Sequence, residues 1–192
     1  QHGGYVVPRN FYISDCHFFH ENIIKMDNRP FSSVEEMNSE MIKRWNSVVT
    51  KQDNVYILGD FSWGIPRDTK VILDQLVGAK FLIKGNHDRW AKDGACKKMF
   101  QGIYDYKMIV DNNKTVVMCH YPIMFYQNQH RNAVHLYGHV HNTIEEDLFQ
   151  QVVSNIKRQT DIPMNCYNVG CMMDYMDYTP RTLEEIINFE SK

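Results

Sequence analysis

The sequence has none of the features that mark membrane-spanning, secreted or fibrous proteins. No apolar run approaches the roughly 18 residues that a spanning helix requires, and the start of the chain lacks the charged, apolar and small-residue sections of a secretory signal. Internal repeats and linkers rich in proline, glycine or serine are also absent. These absences predict a soluble, cytoplasmic protein without a membrane partner.

Cysteine pairs and a strong charge of one sign are missing as well. The five cysteines form an odd number without a C-x-x-C pair, which disfavours a disulfide framework and a zinc finger. The 21 basic and 23 acidic side chains leave a formal net charge of -2, so no overall field attracts the chain to nucleic acid. Any affinity for phosphate must therefore come from a local site.

The patterning that is present predicts an α/β domain, because apolar, strand-like runs alternate with segments of helical periodicity. The runs cover residues 10–14, 54–58, 80–84, 115–119, 134–137 and 166–169, and helices are expected at residues 34–48, 66–77 and 182–189. We interpret residues 1–4, which do not begin with methionine, as a remnant of cloning. One domain is expected over residues 5–192.

Polar residues that can bind metal follow several of these runs, at the point where each run ends. They are Asp15 and His17 after the first run, Asp60 after the second, Asn86 after the third, His120 after the fourth, and His139 and His141 after the fifth. In α/β sheets the carboxyl ends of the strands meet at one crevice, so these side chains are expected to converge. Carboxylate, amide and imidazole groups together are typical of sites for divalent Mn, Fe, Zn or Ni.

Local spacing adds two expectations about the backbone. Alternation along an extended chain would place Asp15 and His17 on one side and turn Cys16 toward the core. Three glycines directly precede candidate site residues, where a missing Cβ allows tight turns and close approach of the backbone; they are Gly59, Gly85 and Gly138.

In this order the motifs D-x-H, G-D, G-N-H-D, H and G-H-x-H resemble those of the calcineurin-like metallophosphoesterase family. The match runs from residue 15 to residue 141, and residues 20–25 and 28–31 are similar to stretches of small bacterial and phage phosphoesterases. The resemblance implies an αββα sandwich, in which two mixed β-sheets are flanked by helices. It also implies a hydrolase that uses two divalent metal ions, of which manganese is favoured.

The resemblance further implies a role for each motif residue. One metal ion would be held by Asp15, His17, Asp60 and His141, and the second by Asp60, Asn86, His120 and His139. His87 resembles the catalytic histidine of the family, which stabilises charge on the phosphoryl group or protonates the leaving oxygen. Asp88 is the expected partner that fixes the imidazole of His87.

The same resemblance makes His20 and Arg29 candidates for binding the substrate phosphate, since an arginine offers a planar fork to phosphate oxygens. Aromatic residues near the motifs, Trp63 and Tyr121 among them, fit either of two roles. They would line a pocket that stacks a nucleobase, or they would pack in the core.

The motifs predict hydrolysis of a small phosphomonoester or phosphodiester, with nucleotide-like esters among the candidates, by a metal-activated hydroxide. A nuclease would use the same chemistry, but the near-neutral charge and the lack of a basic stripe disfavour nucleic acid. A non-catalytic scaffold remains a third alternative, although such a protein would be expected to lose a ligand or His87, and both are kept. The oligomeric state leaves no trace in the sequence.

Overall fold

A computed structural model describes residues 7–189 of the chain. Residues 1–4, interpreted above as a cloning remnant, lie outside the described residues. In chain order the strands are β1 (Asn10–Ile13), β2 (Asn54–Ile57), β3 (Ala79–Ile83), β4 (Phe100–Tyr104), β5 (Tyr106–Asp111), β6 (Lys114–Cys119), β7 (Val134–Tyr137), β8 (Cys166–Asn168) and β9 (Arg181–Thr182). The α-helices are α1 (Glu21–Met26), α2 (Val34–Val48), α3 (Pro66–Gln75), α4 (Gly94–Lys97), α5 (Ile144–Gln159) and α6 (Leu183–Phe189).

The described strands form two mixed sheets, as the resemblance implied. The first has the order β4-β3-β2-β1-β9, in which β1 to β4 are parallel and β9 is antiparallel to β1. The second has the order β5-β6-β7-β8, in which β5 is antiparallel and the others are parallel. Helices flank both sheets, so the αββα expectation is confirmed. Among the described residues, no helix combines the length and apolar character needed to cross a membrane.

All six strands predicted from the apolar runs are present, each with ends within about one residue of the expected ones. The prediction for α2 is also confirmed, since Ser33 caps this helix by accepting a hydrogen bond from the backbone N–H of Glu36 at 3.1 Å. Strands β4, β5 and β9 and helices α1, α4 and α5 were missed, and of these β5 forms a hairpin with β6. Its turn contains Asn112 and Asn113, both in the left-handed region at φ 47° and 62°, a hairpin signal that the sequence carries.

The core forms where the two sheets face each other and where helices cover them. Tyr12, Tyr56 and Phe81 occupy matching positions of β1, β2 and β3, and their rings stack with centroids 5.6 Å and 4.8 Å apart. Residues on the opposite face of these strands, such as Ile13 and Ile57, are fully buried. Stacked and β-branched side chains at matched positions fix the register of parallel strands, which sets where the strand ends lie.

The two sheets are joined at the carboxyl ends of their parallel strands. Ser14, just after β1, forms a parallel bridge with Gly170, just after β8, through two backbone hydrogen bonds of 2.8 Å and 2.9 Å. The loops after β1 and β2 are joined as well, because the N–H of Asp15 donates to the carbonyl oxygen of Gly59 at 3.0 Å. The loops that carry the motifs are therefore held against one another by backbone hydrogen bonds.

At the amino end of β2, the buried carboxylate of Asp53 connects two other segments of the chain. It accepts hydrogen bonds from the backbone and side chain of Arg9, both at 2.9 Å, and from the backbone and hydroxyl of Thr50, both at 2.8 Å. Burial alone would raise the pKa of Asp53, but these hydrogen bonds outweigh it and hold the pKa well below its ordinary value.

Replacing Asp53 with Asn should lower the free energy of unfolding by about 2 kcal/mol at pH 7, because donors are left without an ionised acceptor. A depressed pKa in the folded state stabilises the fold above the unfolded value of about 4, and this contribution is lost as the pH falls. The difference between wild type and Asp53→Asn in urea denaturation should therefore shrink between pH 5 and pH 2. A constant difference across that range would contradict this account.

Candidate metal centre

The seven candidate metal ligands lie together in the crevice at the carboxyl ends of the strands. Three of them, Asp15, His17 and His141, bring one donor atom each to within 4.8 Å of the others. Asp60, His120 and His139 form a second group by the same measure. The amide oxygen of Asn86 joins the second group, at 3.1 Å from His120 Nε2. The predicted convergence is thus what the fold produces, and two ligand groups stand side by side.

Asp60 lies between the two groups. Its Oδ2 is 3.8 Å from His17 Nε2 in the first group and 3.5 Å from His120 Nε2 in the second. Its Oδ1 accepts a hydrogen bond from the backbone N–H of His87 at 2.9 Å, which fixes the carboxylate. Burial would raise the pKa of Asp60, but the interaction with the His120 imidazole and, after it, the hydrogen bond from the backbone N–H of His87 lower it to about 2. One oxygen of an ionised carboxylate thus faces both groups.

The backbone that carries these side chains is not extended. Five candidate ligands adopt the left-handed conformation, with φ of 54° at Asp15, 51° at His17, 47° at Asp60, 71° at His139 and 51° at His141. The expectation of alternation along an extended chain after β1 was therefore wrong in its geometry, although the side chains converge and Cys16 is buried. Left-handed conformations of non-glycine residues cost free energy and cluster at functional sites.

Close approach of the loops depends on glycine, as expected. Gly59 has φ of 90°, and a Cβ there would lie 2.5 Å from His120 Nδ1. A Cβ on Gly138 would overlap the Ser14 hydroxyl and the Asp15 carboxylate. A side chain at either position would therefore displace a candidate ligand.

Two buried polar atoms in the first group have no hydrogen-bond partner among the described residues, namely Asp15 Oδ1 and His17 Nε2. Burial raises the pKa of the Asp15 carboxyl and lowers the pKa of the His17 imidazole to about 2. An unprotonated imidazole nitrogen and a carboxyl oxygen, both buried and both in the first ligand group, are donors that a divalent cation binds. The residues present therefore fit a metal ion.

Hydrogen bonds behind the site orient two of the imidazoles. His120 Nδ1 lies 2.7 Å from the carbonyl oxygen of Leu58, and His141 Nδ1 lies 2.7 Å from Asp27 Oδ1. An acceptor at Nδ1 holds a proton on that nitrogen, so Nε2 is the nitrogen that would bind a cation. Asp27 was not among the residues that sequence reasoning selected, although it directly precedes the similar stretch at residues 28–31.

Arg29 lies beneath the site, where its side chain has no exposure to solvent. Its guanidinium donates to the carbonyl oxygens of Asp15 and Cys16, both at 2.9 Å, and to Asp27 Oδ2 at 2.8 Å. A substrate phosphate cannot reach this group without breaking those bonds. The expected substrate role of Arg29 does not fit this geometry. Arg29 instead holds the Asp15 loop and the carboxylate that orients His141.

Asp88 also differs from its expected role as the partner of His87. Its carboxylate accepts three backbone hydrogen bonds, from the N–H groups of Asp60 at 2.9 Å, Phe61 at 2.9 Å and Gly85 at 2.8 Å. Burial raises the pKa of Asp88 to about 6, although these N–H groups act in the opposite direction. Asp88 thus connects the loop after β3 to the loop after β2, and both of its carboxylate oxygens accept hydrogen bonds.

His87 stands at the mouth of the site, with 37% of its side chain exposed and Nε2 3.9 Å from Asp60 Oδ2. The ring of Trp63 lies against it at 4.5 Å and stacks on His20 at 4.1 Å, nearly parallel. His20 Nδ1 is 3.3 Å from His17 Nδ1, so His20 touches a candidate ligand. Tyr121 packs edge-on against His139 at 4.5 Å. The aromatic residues at the mouth therefore form a rim around the ligand groups.

The carboxylate of Glu146 and the amide of Asn168 brace the site from the side of the second sheet. Asn168 donates to the carbonyl oxygen of His141 at 2.9 Å and to Glu146 at 3.1 Å, and Glu146 accepts from the Tyr137 hydroxyl at 2.9 Å. Asn168 is the last residue of β8. It acts by fixing the backbone of a candidate ligand.

Comparison with known protein families agrees with this geometry. The model of the calcineurin-like phosphoesterase family matches residues 11–169, which include all seven candidate ligands and His87. The chain belongs to the calcineurin-like phosphoesterase family. Members of this family generally use two divalent metal ions, and the two ligand groups described above support a metal-dependent phosphoesterase.

Similar proteins include small relatives from several sources. The chain is 32% identical to the Uncharacterized protein MJ1445 of Methanocaldococcus jannaschii over 185 residues, which is 95% of this chain and 91% of that protein. It is 38% identical to the Gene 66 protein of Mycobacterium phage L5 over 85 residues, 43% of this chain and 41% of that one. The crystal structure of the Protein of Unknown Function AQ665 from Aquifex aeolicus aligns with a TM-score of 0.71 and 27% identity, covering 95% of this chain and all of the other.

Replacing Gly138 of this phosphoesterase with Ala should abolish metal binding in the first ligand group, because the new Cβ overlaps the Asp15 carboxylate. Metal content after equilibrium dialysis against Mn²⁺ should fall by about one ion per chain. Gly94→Ala is the matched control, since a Cβ at Gly94 meets no atom within 4 Å. Equal metal content in both variants would contradict the close approach described here.

Replacing Asp27 with Asn should weaken metal binding about 10- to 100-fold, the usual cost of losing the hydrogen bond that orients a ligating histidine. The dissociation constant for Mn²⁺, measured by calorimetry, reports this change. Asp174 is the matched control, because it is exposed and lines the same surface cavity as Asp27 without a hydrogen bond to a candidate ligand among the described residues. An Asp174→Asn effect as large as that of Asp27→Asn would argue against a specific orienting role.

Proposed function

We propose that this chain hydrolyses a small phosphomonoester or phosphodiester, nucleotide-like in size, at two divalent cations. One cation would be held by Asp15, His17, Asp60 and His141, and the other by Asp60, Asn86, His120 and His139. The observation that carries the proposal is the position of Asp60 Oδ2 between the two ligand groups. Manganese is favoured among Mn, Fe, Zn and Ni, and we propose that residues 5–192 form one domain in the cytoplasm.

When bound, two divalent cations activate water for attack and offset the negative charge of phosphoryl oxygens. The protein supplies the remaining elements of catalysis. The backbone N–H of His139 donates to Asp15 Oδ2 at 3.0 Å, and that of His87 donates to Asp60 Oδ1. The other oxygen of each carboxylate faces imidazoles of the ligand groups that would hold the cations. Ligands fixed in this way need little rearrangement when the reaction begins.

His87 is proposed to donate a proton to the leaving oxygen or to stabilise charge on the phosphoryl group. Its Nε2 faces the ligand groups, while the exposed part of the ring faces solvent. Trp63, packed against the ring, limits its rotation. Since the carboxylate of Asp88 is engaged elsewhere, the position of His87 depends on its backbone bond to Asp60 and on this aromatic contact.

The rim suits a compact organic group on the substrate. Trp63 is 48% exposed and Tyr121 is 44% exposed, and they pack against His87 and His139, respectively. Flat aromatic surfaces at a polar site bind a base or aryl ring by stacking. His20, in contact with both Trp63 and His17, is proposed to bind the substrate phosphate at this rim.

The proposal is tested by turnover with two monoesters that differ in leaving group, p-nitrophenyl phosphate and phenyl phosphate, using protein stripped of metal and reloaded with Mn²⁺. Asp60→Asn should lose turnover of both esters. His87→Ala should lose about 100-fold or more in kcat with phenyl phosphate, whose leaving oxygen needs a proton, and less with p-nitrophenyl phosphate.

Bis-p-nitrophenyl phosphate in the same assay shows whether diesters are preferred. Lys43→Gln, on an exposed turn of α2, serves as the control for handling and metal loading. Full metal loading without hydrolysis of any ester would favour a non-catalytic scaffold. A loss of equal size with both monoesters in His87→Ala would exclude proton donation to the leaving group and leave charge stabilisation.

A further inference from the structure

A second cleft opens beside the candidate metal centre. It encloses about 750 Å³, a volume within the range of small-molecule sites. Asn86 and Tyr121 belong to both regions, since they line the cleft while Asn86 Oδ1 lies 3.1 Å from His120 Nε2 and 3.4 Å from the Tyr121 hydroxyl. A molecule with one group at the metal centre can therefore extend directly into the cleft.

The cleft is lined by four cationic side chains, Lys84, Arg89, Lys92 and Lys97, and we call it the basic cleft. Lys84 pairs with Asp105 at 2.7 Å. Within residues 7–189, the side chains of the other three form no ion pair or hydrogen bond. The carboxylate of Asp88, which also lines the cleft, accepts hydrogen bonds from three backbone N–H groups. In a chain of net charge -2, this is a local excess of unpaired positive charge.

The wall that carries these cations is anchored in the core. Trp90 is only 3% exposed, and its ring packs against Phe61 at 5.7 Å and Phe100 at 5.8 Å. Asp93 caps α4 by accepting from the N–H groups of Ala95 and Cys96 at 2.9 Å and 3.0 Å. The cations therefore project from a fixed backbone, so little ordering of the backbone is needed when an anion binds.

We propose that the basic cleft binds a second anionic group, a phosphate, of a small substrate whose scissile phosphoryl group lies at the metal centre. This inference rests on the proposed function and narrows its substrate class to molecules with at least two phosphates. Arginine and lysine together offer a planar fork and point charges to phosphate oxygens. The cations are confined to one cleft, whereas a nucleic acid backbone would require a longer basic track.

The test compares adenosine 3′,5′-bisphosphate with adenosine 5′-monophosphate as substrates of the Mn²⁺-loaded protein, by release of inorganic phosphate. Wild type should show the higher kcat/KM with the bisphosphate, and this preference should weaken as salt is raised. The double variant Arg89→Gln, Lys97→Gln should reduce the preference about tenfold, mainly through KM.

Lys98→Gln is the matched control, because Lys98 neighbours Lys97 and is exposed but does not line the cleft. It should keep the wild-type preference. Equal kcat/KM for the two nucleotides, or an equal loss in Lys98→Gln, would overturn the proposal. Faster hydrolysis of a single-stranded oligonucleotide than of the bisphosphate would replace the small substrate by a nucleic acid.

If no ester is hydrolysed, the proposed function fails, and the basic cleft is then tested by binding alone. Calorimetric titration of the metal-free protein with inorganic tripolyphosphate should show binding that weakens about tenfold in the double variant and is kept in Lys98→Gln. Absence of binding to wild type, or binding unaffected by the double variant, would overturn the inference separately from the hydrolase proposal.

Discussion

Two buried carboxylates in a crevice between two sheets are the constraint on which the rest of the site depends. Asp15 and Asp60 are almost wholly removed from solvent. Burying an unpaired charge is costly, so each carboxylate needs donors that the fold must supply. Backbone N–H groups of His139 and His87 satisfy one oxygen of each, and the other oxygens face imidazoles. A divalent cation in each ligand group would meet the remaining demand.

This arrangement requires unfavourable backbone conformations at several candidate ligands. Five candidate ligands adopt left-handed conformations, which persist only where the surroundings enforce them. The surroundings here are hydrogen bonds that cross between loops: Arg29 to the Asp15 loop, Asp88 to the loop after β2, and Asn168 to the backbone of His141. The residues that maintain these backbone conformations are thus distinct from the candidate metal ligands. They lie beneath and beside the site, where they are shielded from water.

The surfaces proposed to recognise the substrate lie outside this rigid centre. The rim of exposed aromatic rings stands at the mouth, and the basic cleft continues from Asn86 along a wall anchored by Trp90. Changes in either surface leave the carboxylates and their donors in place. The same metal chemistry can therefore be combined with different substrate contacts, because proteins that share a fold can differ in their binding sites.

The sequence by itself determined the chemistry of the site and the elements that carry it. Asp15, His17, Asp60, Asn86, His120, His139 and His141 follow apolar runs, and parallel strands bring their carboxyl ends to one edge whatever the details of packing. Only the tertiary structure decided what Arg29, Asp88 and Asp27 do, because each is defined by partners distant in the chain or by a loop conformation. Whether a polar side chain faces substrate or braces a loop depends on burial and hydrogen-bond geometry summed over such partners. A local sequence pattern does not contain this information.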